Sequence, residues 1–286
     1  QLVGLLKTRG LPARLIQSFE GFNLLNLYEV RYVLGQLGKK EHHQTIPDER
    51  IDSALRGLSD KFGSSSTAKL VSKAIRRFVK LNPGVKYRSD FENFMAESDL
   101  DDFADYGMDT IVVSTMHKSK GREFDNVYLM LNHFYPENNE KRRLLYVAMT
   151  RAKSGLEVHY NNDFLDSMDV DGLQRIKSLI QYPRPEKLLK QLTHKEVNLG
   201  YFAFVQHRIH RLKNGDSLKV NEEGCLNPSG EPVMKFSESM KQELGRLNKL
   251  GYFPAGAKVA FRIYWYSEEK QNEFLIMLPV MGFVLK

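Results

Sequence analysis

Cysteine is nearly absent: Cys225 is the single one in 286 residues. A lone thiol excludes an internal disulfide and a zinc site built from four cysteines, and it fits a reducing compartment. Long apolar runs are also missing. Nothing approaches the roughly 20 consecutive apolar residues that span a bilayer, and no secretory leader pattern occurs. The acidic stretch "ESDLDDFAD" at 97–105 lacks the histidines of a metal site and reads as a solvated helix face. The phosphate-cradling pattern G-x-x-x-x-G-K-[ST] is absent as well, since "GQLGKKE" has neither its spacing nor its hydroxyl. There is no internal repeat, and Ser64–Ser66 is the only low-complexity tract. A self-contained hydrolase or nuclease finds no support in these residues.

What is present is basic. A net charge of +7 points to an anionic partner, nucleic acid first, or to a merely basic surface, and charge alone leaves these about even. The opening "LVGLLKTRG" reads as an amphipathic helix without a start, as expected of a fragment of a longer polypeptide. Helix Leu2–Thr8, a short strand in "ARLIQS" and a helix from an Asn23 N-cap to Leu37 follow one another. Three helical stretches then run unbroken by strands, near Pro47–Phe62, Thr67–Leu81 and Asp90–Phe103. Next come strand Ile111–Ser114, a charged connection, strand Val127–Leu131, a helix over Glu140–Lys153 and strand Leu156–Tyr160. Strand, helix, strand at this spacing predicts a parallel sheet with right-handed crossovers, whose ligands bind beyond the carboxyl ends of the strands.

That places the connection "TMHKSKGREF" (115–124) where a ligand loop belongs, and its groups exceed what a turn needs. The second charged segment is "EKRRLLYVAMTRAK" (140–153). Leu144, Ala148 and Ala152 at i, i+4 and i+8 predict an apolar stripe against the sheet. Arg151 lies near the azimuth of Leu144, so its guanidinium is expected to reach past the helix end toward something negative. The alternative is that Arg151 and Lys153 cap the last carbonyls of the helix. Taken singly, His117, Lys118 and Lys120 read as ordinary surface residues.

Together the two segments resemble motifs V and VI of superfamily 1A DNA helicases, the UvrD/Rep/PcrA group. The match runs through Thr115, His117, Lys120, Gly121, Glu123 and Phe124, then Arg142, Arg143, Leu144, Tyr146, Val147, Thr150, Arg151 and Ala152. Arg122 departs from the family's usual leucine. The stretch before motif V is also similar, so the resemblance covers about residues 1–160. It implies an α/β fold: a RecA-like parallel-sheet second motor domain from 1–40 and 110–162, with an all-helical insertion at 41–109. A helical linker at 163–193 and a small β-rich, barrel-like accessory domain at 194–286 complete the expected chain. The insertion is too short for the family's usual duplex-binding subdomain.

By the same resemblance, Arg151 is the arginine finger of an ATP-dependent DNA helicase, Glu123 accepts from the nucleotide ribose, and Lys120 and Gly121 lie at the phosphates. Thr115 and His117 face single-stranded DNA. The implied cofactor is ATP with magnesium, bound mainly by a missing N-terminal motor domain of the same polypeptide, and no protein metal ligand is expected here. The implied partners are single-stranded DNA or a single/double-strand junction, with no membrane, a cytoplasmic, nucleoid-associated location and a role in DNA repair. The competing reading is a catalytically inactive helicase-like module kept for DNA or protein binding.

The last stretch faintly resembles HIRAN-type barrels that bind single-stranded DNA ends, with Tudor-like barrels as a second parallel. Either could also carry a protein partner. "QHRIHRLK" (206–213) is basic, and Tyr201, Phe202, Trp265 and Tyr266 are either core residues or surfaces on which bases stack.

Overall fold

The computed structural model describes residues 2–16, 23–38, 44–63, 65–103, 110–179 and 183–286. The ends of two expected features, Gln17–Ser18 after the first strand and Ala104–Asp105 in the acidic stretch, lie outside them. The chain divides into two compact units. One holds 1–12, 18–110 and 185–286; the other holds 13–17 and 111–184. This division follows other lines than the expected domains, because the helices of 44–103 share one hydrophobic core with the C-terminal sheet.

In the first unit, helix α1 is Leu2–Thr8, as predicted. The helix expected from Asn23 is interrupted. Asn23 does cap, but it caps a 3-10 turn at Leu24–Asn26, accepting from Leu25 N while Asn26 returns a side-chain acceptor to Asn23 N. Leu27 is extended (φ −62°, ψ 136°), and helix α2 then covers Tyr28–Gln36. The break has a tertiary cause: Leu27 makes an isolated β-bridge to Ile263.

Three further helices follow, α3 at Asp48–Phe62, α4 at Ser66–Leu81 and α5 at Arg88–Glu97, with a 3-10 turn at Leu100–Phe103. Ile51, Ala54 and Leu58 of α3, Val71, Ile75 and Phe78 of α4, and Phe91 and Met95 of α5 are buried together. Phe78 and Phe91 meet edge to face at 5.2 Å.

The sheet of this unit is six-stranded. Its strands are β5 (Lys187–Gln191), β6 (Ser217–Val220), β7 (Gly224–Leu226), β8 (Pro232–Lys235), β9 (Tyr252–Ser267) and β10 (Asn272–Leu285). They pair antiparallel in the order β5-β10-β9-β6-β7-β8. The order ends on two edges, β5 and β8, so the sheet is a curled half-barrel rather than a closed barrel. Register shifts at Leu278/Pro279 and Gly282/Phe283 curl the long hairpin, and Pro279 is accommodated at the first of them. Short helix α7 (Gln206–Ile209) and helix α8 (Glu238–Lys249) belong to the same unit. The expected helical linker over 163–193 is corrected: its described residues hold turns and then β5, because Lys187–Gln191 completes the ladder of β10. Of the aromatic candidates, Phe202 is fully buried and Trp265 packs against the core, whereas Tyr266 is exposed.

The second unit holds two separate two-stranded parallel sheets. Strands β1 (Ala13–Leu15) and β2 (Ile111–Val113) form one; β3 (Phe124–Leu131) and β4 (Ala152–Tyr160) form the other. Helix α6 (Asn139–Met149) connects β3 to β4, giving the predicted strand–helix–strand unit. Leu129 and Leu131 of β3 and Leu145 and Ala148 of α6 form its core. The parallel character is as expected; one continuous RecA-like sheet is not what these strands form. The predicted stripe is also corrected. Leu145 and Ala148 are buried while Leu144 is only partly so, and Ala152 already belongs to β4.

Candidate functional site

The connection 114–123 leaves the carboxyl end of β2, which pairs in parallel with β1 and continues through an Ile16 N–H donated to Val113 O at 2.8 Å. Local hydrogen bonds build it. The N–H groups of Lys118 and Ser119 donate to Thr115 O, forming a 3-10 turn over His117–Ser119. Two residues anchor it. Ser119 is buried and its hydroxyl donates to Met116 O at 2.7 Å, while Met116 packs against the core of α6 and β3. The turn thereby leaves Thr115, His117, Lys120, Gly121 and Glu123 exposed.

Gly121 has φ +81°, in the left-handed region, with nothing within 4 Å of where a Cβ would stand. Conformation rather than crowding requires glycine there. This turn aims the chain into β3, whose first residue donates from Phe124 N to Arg151 O at 2.9 Å.

Arg151 sits in the turn after α6, not on the helix. Its Nε donates to Val147 O at 2.9 Å, one Nη to Arg122 O at 3.3 Å and the other Nη to Thr150 Oγ1 at 3.2 Å. The expectation that it extends past the helix toward a negative group is corrected in part. Its Nε caps the last turn, as the alternative had it, and one terminal nitrogen also crosses to the charged connection. A guanidinium carries five N–H groups. Three are used, so one N–H on each terminal nitrogen stays available among the described residues. Lys153 does not cap the helix. It is the second residue of β4 and pairs with Glu123 at 3.6 Å, both side chains being largely exposed.

The fold therefore brings Arg151, Arg122, Glu123 and Lys153 together, and holds Lys120 and Gly121 in the same turn. Thr115 and His117 lie at the other end of that turn. Sequence reasoning passed over Met116 and Ser119, which hold the loop, and misread Lys153. Met116 could have been found as the one apolar side chain inside a polar run. Among the described residues no group of three or more His, Cys, Asp or Glu could hold a metal ion, and no helix is long and apolar enough to cross a membrane.

The family model of the UvrD-like helicase C-terminal domain matches residues 44–163. Those residues are a UvrD-like helicase C-terminal domain. This superfamily 1 helicase domain takes in helices α3 to α5, the charged connection, β3, α6 and β4, so both motif-like segments fall inside it. Residues 1–43, included in the expected resemblance, lie outside the match. No curated protein matches the chain.

Proposed function

We propose that the chain is the C-terminal half of an ATP-dependent DNA helicase or translocase motor. In this reading the charged connection serves nucleotide on one side and single-stranded DNA on the other. One observation carries the proposal: Arg151 donates to the carbonyl of Arg122, so that motif-VI-like and motif-V-like segments share one hydrogen-bonded corner. In it the guanidinium is held at Nε and half of each terminal nitrogen. Its remaining N–H groups suit two oxygens of a phosphoryl group, the bidentate geometry at which arginine excels.

The residues present fit part of a nucleotide. Lys120 is an exposed ammonium beside the left-handed Gly121, whose backbone lets an anion approach closely, and Glu123 offers a carboxylate to a ribose hydroxyl. Bound ATP with magnesium would supply the phosphoryl-transfer chemistry. The role of this chain is to place a fixed positive charge where negative charge develops, which favours the transition state over the ground state. Glu123 would have to exchange its exposed pairing with Lys153 for the ribose. Such a pair contributes little in water, so the exchange costs little. Thr115 and His117 supply a hydroxyl and an imidazole toward DNA phosphates.

The test is to join this chain to a Walker-motif motor domain encoded beside it and measure ATP hydrolysis with and without single-stranded oligonucleotide. DNA-stimulated hydrolysis is expected of the joined protein. Its absence, or the absence of any adjoining Walker motif, would leave the non-catalytic module as the better description.

A further inference from the structure

Between the 3-10 turn Leu24–Asn26, helix α2 and helix α5 lies a cavity of about 420 Å³. Its volume falls within the range of sites that hold small molecules. Leu25 and Leu34 give it an apolar wall, and Arg31, Arg88 and Glu92 are its charged lining. Arg88 is only 9% exposed; its Nε donates to Glu92 Oε1 at 2.9 Å and one Nη to Gly38 O. Arg31 donates from Nε to Leu25 O at 2.8 Å and from one Nη to Glu273 Oε1 at 2.6 Å. Each guanidinium thus engages two of its five N–H groups among the described residues.

Structural duty accounts for only part of this arrangement. A guanidinium at the end of α2 serves as a cap, yet Gln44 Nε2 and Arg50 Nη1 already donate to Leu37 O there, at 3.1 and 3.2 Å. Gly35, near the end of α2, also borders the cavity. Its backbone is not left-handed, and nothing lies within 4 Å of where a Cβ would stand. Neither conformation nor crowding asks for glycine, and alanine would favour the helix. What the missing side chain does is keep the cavity open.

We propose that this cavity binds a small organic anion, a carboxylate or phosphate monoester carried on an apolar body. The lining is rich in donors and poor in acceptors, since its one carboxylate, Glu92, already accepts from Arg88. A fitting ligand brings acceptors of its own, and guanidinium groups grip the paired oxygens of a carboxylate or phosphate. Arg31 and Arg88 outnumber Glu92 in the lining, which favours an anion over a neutral ligand of the same shape. Glu273 meets Arg31 where both side chains are well exposed, so that pairing neutralises little. Leu25 and Leu34 suit the apolar body. The site uses no residue of the charged connection and is independent of the motor reading.

The experiment titrates the full 286-residue chain with benzoate, phenyl phosphate, benzamide and inorganic phosphate, read by calorimetry. Benzoate or phenyl phosphate should bind with Kd at or below about 1 mM, the tighter of the two telling a carboxylate ligand from a phosphate one. Gly35→Phe fills the cavity while leaving both arginines in place, and should weaken that binding at least about tenfold. Arg31→Gln keeps a hydrogen-bonding side chain but removes its charge, and should also weaken it about tenfold. Thermal melting checks that both variants fold, and Gly35→Ala should bind like wild type. Failure of both aryl anions to bind would overturn the proposal. So would undiminished binding in folded Gly35→Phe or Arg31→Gln. Benzamide binding as tightly as benzoate would refute anion recognition, and inorganic phosphate as tightly as phenyl phosphate would refute the apolar wall.

Discussion

Asn214 donates from Nδ2 to Glu29 Oε1 at 2.7 Å, joining the loop before β6 to helix α2 inside the core of the first unit. The same nitrogen reaches Thr67 Oγ1 at 3.1 Å, and Asn214 Oδ1 accepts from Arg262 Nε at 3.1 Å. Arg262 is itself buried, donating to Leu212 O and lying 4.5 Å from the Tyr28 ring centroid. Burial raises the carboxyl pKa of Glu29 above its ordinary value, with its own backbone hydrogen bond and Arg262 pulling the other way. Burial likewise lowers that of Arg262.

A sign follows for stability. A carboxyl whose folded pKa is raised binds its proton more readily in the folded state, so its contribution is greatest below the unfolded pKa and is lost as pH rises through the folded one. Glu29→Gln should therefore melt no lower than wild type at neutral pH, with any gain vanishing toward acid. Glu29→Ala should instead cost about 2 kcal/mol, because, unlike Gln, it removes the buried acceptor of Asn214 Nδ2 and leaves a void in the core. Thermal melts of both variants across pH check this; a Gln variant that melts far below wild type at pH 7 would contradict it.

Arg151 acts in the proposed motor mainly in the transition state. In the joined protein, Arg151→Ala should leave nucleotide binding within a few-fold and lower kcat by about a thousandfold. Steady-state kinetics with fluorescent-nucleotide titration separate the two. An unchanged kcat would reduce Arg151 to the cap that its bond to Val147 O already makes it.

The two ends of the charged connection should fail differently. His117→Ala should weaken stimulation of ATP hydrolysis by single-stranded DNA while sparing the unstimulated rate. Glu123→Ala should weaken nucleotide binding with or without DNA. Lys153→Ala removes only the exposed partner of Glu123 and should change either quantity less than twofold. Identical defects in the His117 and Glu123 variants would make the connection a structural loop and nothing more.

By itself, the 286-residue chain should not hydrolyse ATP, since a phosphate-cradling lysine loop is missing from its sequence. A phosphate-release assay with oligonucleotide checks this. Hydrolysis that survived purification and disappeared in the Arg151→Ala variant would show that the chain contains a complete site of another design.

Cys225 offers a last check on the first unit. It is fully buried and burial pushes its thiol up to about 12, so it should resist alkylation at neutral pH and become reactive only as the chain unfolds. A thiol titration along a urea series measures this; rapid labelling of the native chain would contradict the packing of β7.

What the sequence determined by itself is what depends on neighbours along the chain. Periodicity located α1, α3, α4 and α6 within a few residues, because a helix's hydrogen bonds and buried row are local. The two motif-like segments were legible for the same reason, each being a contiguous run. Tertiary structure decided the rest. Leu27 leaves the helix because Ile263, far along the chain, pairs with it. Lys187–Gln191 is a strand rather than a linker because β10 has a free ladder edge for it. Phe202 became core and Tyr266 surface through the curl of one sheet, which no local pattern encodes. Arg151 turned back toward Val147 and across to Arg122 because β3 and β4 start side by side, bringing Arg122 O within reach. Residue types named the candidate site; only the parallel pairing of two strands determined which of those residues touch.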